Sequence, residues 1–109
     1  MTNIKISYQN DNIIGFECKN HSGYAEYGKD IVCAGISCIT QTAVLGIKNI
    51  AKAKHKCVVD QKQGYLFLEL NEVKNSSNFA QSQIILQTMV CGLQDLQKQY
   101  PKYLKVEVK

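Results

Sequence analysis

The chain has 109 residues, of which 45% are hydrophobic, enough apolar material for one compact domain and too much for a disordered chain. Its formal net charge of +4 is too small to indicate nucleic-acid binding, and its one lysine-rich stretch, residues 48–56, lacks interleaved aromatic residues. No apolar run reaches the roughly 18 residues of a membrane span, and the N-terminus has no signal-peptide core, so we expect a soluble cytoplasmic protein with no membrane contact.

The first elements predicted along the chain are two strands. "IKISY" alternates apolar and polar residues, as a half-buried strand does, and "QNDN" at residues 9–12 is typical of a turn. "IIGFECK" then places Ile14, Phe16 and Cys18 on one face. The pattern predicts a β-hairpin whose second strand ends shortly before His21.

A loop and a helix follow the hairpin. Residues 22–29 contain two glycines and two tyrosines and read as a loop by composition. Asp30 is the predicted N-cap, because a carboxylate accepts the free N–H groups of a first helical turn. The helix is predicted from Ile31 to about Lys54, and since apolar residues surround most of it, we expect a buried central helix.

A second hairpin and a second helix are predicted in the next part of the chain. "CVVD" and "YLFLEL" flank the turn "QKQG", and the leucines of the second strand share one face. A helix begins near Ser77 or Asn78, and Asn78 with Gln81 resembles a capping box. The helix ends before Pro101. Its apolar stripe consists of Ile85, Met89, Leu93 and Leu96.

The last element, "YLKVEV", is a strand by its alternation. The resulting order is ββαββαβ, which predicts an α+β, two-layer fold with a mainly antiparallel sheet and two helices. Without a linker, repeat or low-complexity tract, residues 1–109 form a single domain.

Cys33 and His21 are the chemically most informative pair. If Asp30 caps the helix, Cys33 lies in its first turn, where free N–H groups and the helix dipole favour a thiolate. The hairpin delivers His21 to the same end of the molecule. A thiolate that attacks a carbonyl and a histidine that protonates the leaving amine are the minimum that a thiol protease needs.

Spacing alone leaves two other interpretations open. Cys33 could be a core residue and His21 an ordinary loop residue, because five cysteines in a chain without an export signal mostly act as small hydrophobic residues. A zinc site of Cys18, His21 and Cys33 is the other, although zinc sites usually combine two ligand pairs and no second pair follows.

The run "HSGYAEYGKDIVCAGIS", residues 21–37, resembles the signature of the ribosomal-processing cysteine protease (Prp) family. That signature is G-H-A, a short loop, and then G-x-D-I-V-C-A-A-V-S. The matching positions are His21, Gly28, Asp30, Ile31, Val32, Cys33, Ala34 and Ser37. The departures are Asn20 for the first glycine, Ser22 for the alanine after the histidine, and Gly35 for the second alanine after the cysteine. None of them removes a chemical group.

The resemblance implies a protease that removes the N-terminal extension of a large-subunit ribosomal protein. By that resemblance Cys33 is the nucleophile, His21 is the general base or acid, and the substrate is cut after an aromatic residue. It further implies a homodimer. We expect no cofactor and no metal, and no direct contact with nucleic acid. The alternative is a non-enzymatic ribosome-associated binding module in which Cys33 is structural.

Asp30 and Ser37 match supporting positions of the family. Asp30 has two interpretations, as the N-cap or as the group that orients His21, and the cap is favoured because it needs only local geometry. Ser37 either lines the site or permits close packing.

The loop between the histidine and the helix is interpreted as a flap. Gly23 and Gly28 are its hinges, and Tyr24 and Tyr27 are candidates to stack on an aromatic substrate side chain.

Overall fold

A computed structural model describes all residues from 1 to 109. The elements are β1 (Thr2–Gln9), β2 (Asn12–Lys19), α1 (Ile31–Gly46), β3 (His55–Asp60), β4 (Tyr65–Leu70), α2 (Ser77–Gln99) and β5 (Leu104–Val108). The strands form one sheet in the order β3-β4-β2-β1-β5, in which only β1 and β5 are parallel. The predicted α+β fold and its ββαββαβ order are confirmed.

Both helices pack on one face of this sheet. Ile4 pairs with Cys18, and Cys18 pairs with Leu66, so these buried side chains point the same way. They join the inner residues of α1 and α2 in a single cluster of 20 buried residues. The second hairpin, including its inward-facing leucines, is therefore as predicted.

A β-bulge changes the inner face of β2. Ser7 pairs with Gly15 but Tyr8 pairs with Ile13, so Ile14 is the extra residue. Ile13 consequently occupies the core and is fully buried, whereas Ile14 is half-buried, and the prediction that Ile14 shares the face of Phe16 was wrong. Gln83 of α2 stabilises the bulge, because its buried amide accepts from the N–H of Ile13 at 2.7 Å and donates to its carbonyl at 2.8 Å.

Helix α1 ends earlier than the sequence predicts. It continues without a break into a π-helical turn, Ile47–Ala51, and Lys52 adopts a left-handed conformation (φ 52°) that terminates it. The predicted end near Lys54 was therefore about three residues too late. In α2 the predicted start is confirmed, but the cap is Ser76, whose hydroxyl accepts from the N–H of Phe79 at 3.1 Å, and not Asn78.

Helix α1 is not buried all round, contrary to the prediction. Its inner face is Val32, Ile36, Thr40 and Ala43. On the outer face Ile31, Leu45 and Ile50 are 57%, 56% and 71% exposed. By length and composition alone the segment Ile31–Ala51 could cross a membrane, contrary to the expectation that no apolar run is long enough. Its inner face packs against α2 within the domain core, as the core helix of a globular domain does.

Asp30 joins the loop after β2 to the start of α1. Its Oδ1 accepts from the N–H of Cys33 at 2.9 Å, which confirms the predicted N-cap. Its Oδ2 accepts from the hydroxyl of Ser22 at 2.6 Å and from the N–H groups of Tyr24 and Ala25 at 3.0 and 3.2 Å. One buried carboxylate therefore closes the loop onto the helix.

We expect this carboxylate to dominate the acid stability of the domain. Burial opposes its ionisation, but the hydrogen bonds from Ser22, Cys33, Ala25 and Tyr24 prevail and lower the pKa of Asp30 from 3.8 to about 2. Because the folded pKa is the lower one, the stabilisation is complete above about pH 4 and is lost as the pH falls through about 2.

The substitution Asp30→Asn should therefore lower the free energy of unfolding at pH 7 by about 1–3 kcal/mol, the usual cost of weakening hydrogen bonds to a buried charged group. The deficit should shrink as the pH approaches 2. Urea unfolding at several pH values measures it, with Asp95→Asn on the exposed face of α2 as the matched control. An equal deficit at pH 7 and pH 2 would contradict the assignment.

Candidate active site

The thiol of Cys33 lies in the first turn of α1 and is half-buried. Its sulfur accepts a hydrogen bond from the backbone N–H of Ser22 at 3.1 Å, and the thiol donates to the Ser22 hydroxyl at 3.5 Å. An N–H donor and the positive end of a helix both favour negative charge on this sulfur. The thiol is thus placed where a nucleophile would be.

His21 follows β2 after Asn20, which takes the left-handed conformation (φ 73°) that asparagine tolerates. The imidazole is exposed, and its Nε2 lies 3.0 Å from the carbonyl oxygen of Lys62 in the turn between β3 and β4. The Tyr27 ring packs edge-on against it, with 5.4 Å between ring centroids. His21 is hydrogen-bonded to Lys62 and not to Cys33 in this state of the molecule.

A cleft brings His21 and Cys33 together. It has a volume of about 520 Å³, within the range of small-molecule and peptide pockets, and separates the first turns of α1 from the β3–β4 side of the sheet. Its apolar lining includes Cys18, Ile36 and Leu66. The two candidate catalytic residues therefore share one cavity with an apolar floor.

The predicted supporting residues are Asp30 and Ser37. Asp30 and Ser37 both line the cleft, and Ser37 lies one turn beyond Cys33, which favours the site-lining interpretation. All four hydrogen bonds to the Asp30 carboxylate come from the loop and the helix start, and none comes from His21. The geometry therefore supports Asp30 as the cap and gives no support to the interpretation that it orients His21.

The loop residues predicted as a flap are also divided. Tyr27 and Gly28 line the cleft, whereas Gly23 and Tyr24 do not. Tyr24 instead packs edge-on against Tyr100 and Tyr103, with ring centroids 5.7 and 5.2 Å apart. These contacts anchor the first half of the loop to the C-terminal end of the chain, so the stacking role predicted for Tyr24 has no basis in this geometry.

Ser22 was missed as a functional residue. It is 1% exposed, and its hydroxyl links the sulfur of Cys33 to the carboxylate of Asp30. In the sequence it counted only as a departure from the family signature. A small hydroxyl residue between the candidate histidine and a capping aspartate was the available signal.

The zinc alternative has no geometric support. No three side chains among the histidines, cysteines, aspartates and glutamates form a group that could hold a metal ion. Cys18 is in the core, and burial, with a smaller effect of Glu17, raises its pKa to about 12, so it is a poor source of the thiolate that zinc binds.

Comparison with known proteins identifies the family. Residues 1–105 match the family model of the cysteine protease Prp. The ribosomal processing cysteine protease Prp of Bacillus subtilis is 27% identical over 94 residues, which cover 86% of this chain and 84% of that protein. The ribosomal processing cysteine protease Prp of Staphylococcus aureus is 29% identical over 89 residues, which cover 82% of this chain and 80% of that protein.

A solved structure agrees with this assignment. The crystal structure of the ribosomal processing protease Prp from S. aureus, in complex with a covalently linked product peptide, has a TM-score of 0.89 to this chain. The sequences are 25% identical, and the match covers 100% of both chains. The chain therefore belongs to the Prp family, and it is a cysteine protease.

Proposed function

We propose that this protease removes the N-terminal extension of a large-subunit ribosomal protein, with Cys33 as the nucleophile and His21 as the general base and acid. The observation that carries the proposal is the shared cleft, in which a thiol at a helix start and a histidine at a strand exit line one cavity. The names of the relatives from B. subtilis and S. aureus, both ribosomal processing proteases, support the substrate class.

These two residues can hydrolyse a peptide bond through a thioester intermediate. His21 takes the proton of Cys33, and the thiolate attacks the carbonyl carbon of the scissile bond. The π electron pair of the C=O bond moves to its oxygen. The N–H of Cys33 donates to Asp30. The N–H groups of Ile31 and Val32 are therefore the ones left in the first turn of α1 to stabilise that oxyanion. The C=O bond re-forms as the C–N bond breaks, and His21 protonates the leaving amine, which leaves a thioester on Cys33. His21 then takes a proton from the water that attacks this thioester and returns it to the sulfur as the C–S bond breaks. Hydrogen bonds between such residues are often long in the free enzyme and tighten once substrate is bound, so the pair needs no His21–Cys33 hydrogen bond before that stage.

The lining of the cleft favours an apolar peptide. Ile36, Val59 and Leu66 line it together with the ring of Tyr27. An aromatic side chain placed among them would lose contact with water and gain edge-on or offset contacts with Tyr27. This supports cleavage after an aromatic residue.

The proposal includes a cytoplasmic homodimer. Ile84 on α2 and Val108 on β5 are 67% and 58% exposed, and these two elements carry the faces that could pair. Sedimentation equilibrium tests the dimer, and a monomer at all concentrations would remove this part of the proposal.

Substitution of the two candidate catalytic residues tests the mechanism. Cys33→Ala should abolish cleavage of a peptide that spans the junction of the extension. His21→Ala should reduce kcat by about 10²–10⁴-fold, the usual contribution of general acid–base catalysis. Peptide cleavage followed by mass spectrometry measures both.

The matched control is His55→Ala. His55 begins β3, and its ring bonds the carbonyl of Ala53 at 2.8 Å, outside the cleft. Cleavage by this variant should be nearly unchanged. If both histidine variants lost the same activity, or if Cys33→Ala still cleaved, the assignment of the pair would fail.

The substitution Gly28→Val tests whether the second half of the loop controls access to the cleft. Gly28 has φ 89°, which a β-branched residue does not adopt without strain, yet a side chain there meets no atom within 4 Å. Peptide cleavage should fall, whereas alkylation of Cys33 by a small reagent should not, because the small reagent needs no loop rearrangement. Equal losses in the two assays would show damage to the helix start instead.

A further inference from the structure

We propose that the turn between β3 and β4 fixes the tautomer of His21, so that Nδ1 is the nitrogen that exchanges a proton with Cys33. The carbonyl of Lys62 is the positioning group. This inference rests on the proposed role of His21 as base and adds which atom performs it and what orients the ring.

The hydrogen bond itself dictates the tautomer. Nε2 of His21 lies 3.0 Å from the carbonyl oxygen of Lys62. A carbonyl oxygen can only accept, so Nε2 must carry the proton. A neutral imidazole has one N–H, and its lone pair is therefore on Nδ1. In this orientation the ring offers Nδ1 as its only basic atom.

The turn is built directly against the backbone that carries His21. Gly64 adopts φ 62°, and a Cβ there would lie 2.8 Å from the carbonyl carbon of Asn20 and 3.0 Å from the backbone nitrogen of His21. Real side chains do not tolerate such distances. Glycine thus permits the close approach that brings the Lys62 carbonyl within reach of the imidazole.

Local hydrogen bonds hold the shape of the turn. The N–H of Gly64 donates to the carbonyl of Gln61 at 3.2 Å, and the N–H of Gln63 donates to Oδ1 of Asp60 at 3.3 Å. The Lys62 carbonyl therefore belongs to a turn whose backbone is constrained on both sides of it. With Tyr27 packed edge-on against the ring, His21 is held by two groups.

No carboxylate takes this orienting role. Asp30, the nearest acidic candidate in the motif, directs its oxygens to Ser22, the loop and the helix. A backbone carbonyl therefore does for His21 what a carboxylate does in a Ser-His-Asp triad, with a neutral dipole in place of a negative charge.

This arrangement determines which nitrogen of His21 gains and loses a proton during the reaction. The Cys33 proton moves to Nδ1, which gives a thiolate and an imidazolium with N–H on both nitrogens. When the scissile C–N bond breaks, the proton on Nδ1 goes to the leaving amine. The proton on Nε2 stays on its nitrogen throughout.

Nitrogen NMR of the imidazoles tests the tautomer in the whole chain. With ¹⁵N-labelled histidine and at a pH where His21 is neutral, its Nε2 should show the protonated resonance and its Nδ1 the unprotonated one. The opposite assignment would overturn the inference. This readout needs no substrate, so it can fail while the Cys33 and His21 substitutions still support the proposed function, and the reverse also holds.

The variant Gly64→Ala tests the cause. It should displace the turn, convert His21 to a mixture of tautomers and lower kcat at least tenfold with little change in KM, within the range general acid–base catalysis contributes. Gln63→Ala in the same turn should change neither, because Gln63 contributes its backbone N–H and not its side chain. A folded Gly64→Ala variant that kept the tautomer and kcat of the parent would disprove the positioning role. If the variant does not fold, the tautomer that nitrogen NMR gives for the parent chain decides whether Nδ1 is the base.

Discussion

The buried carboxylate of Asp30 holds together the two chain segments that carry the proposed catalytic pair. It caps α1 through the N–H of Cys33 and closes the preceding loop through Ser22, Tyr24 and Ala25. His21 follows strand β2 and Cys33 lies in the first turn of α1, so neither segment alone could bring the two residues together. The ionised Asp30 carboxylate, with its four hydrogen bonds, holds the loop after β2 and the start of α1 together on one side of the cleft.

The same hydrogen bonds shape the electrostatics at the sulfur. The donors around Asp30 lower its pKa to about 2, so that the carboxylate beside this turn stays ionised. The Ser22 hydroxyl donates a hydrogen bond to Asp30 and accepts one from the Cys33 thiol, while the Ser22 N–H donates to the sulfur. Ser22 therefore links the sulfur of Cys33 to the carboxylate that caps α1.

Much of this arrangement could be predicted from local sequence. The strand alternation, the capping aspartate and the histidine–cysteine spacing each depend on residues close together in the chain, and the family signature joined them into the correct class of enzyme. The non-enzymatic alternative fails because the relatives are cysteine proteases. The features that were missed depend on distant contacts: Lys62 is 41 residues from His21, and Gln83, which stabilises the bulge at Ile14, is 70 residues from Ile13. The contacts of Tyr24 were missed because its partners, Tyr100 and Tyr103, come from the opposite end of the chain.

Position, and not exposure, should make Cys33 the reactive thiol. All five cysteines are free; Cys38, Cys57 and Cys91 are exposed, Cys33 is half-buried and Cys18 is buried. Brief alkylation with iodoacetamide followed by peptide mapping compares their rates in one sample. Cys33 should be modified first, because it alone combines a helix start with a nearby histidine. Labelling that follows exposure, with Cys38, Cys57 and Cys91 ahead of Cys33, would contradict it.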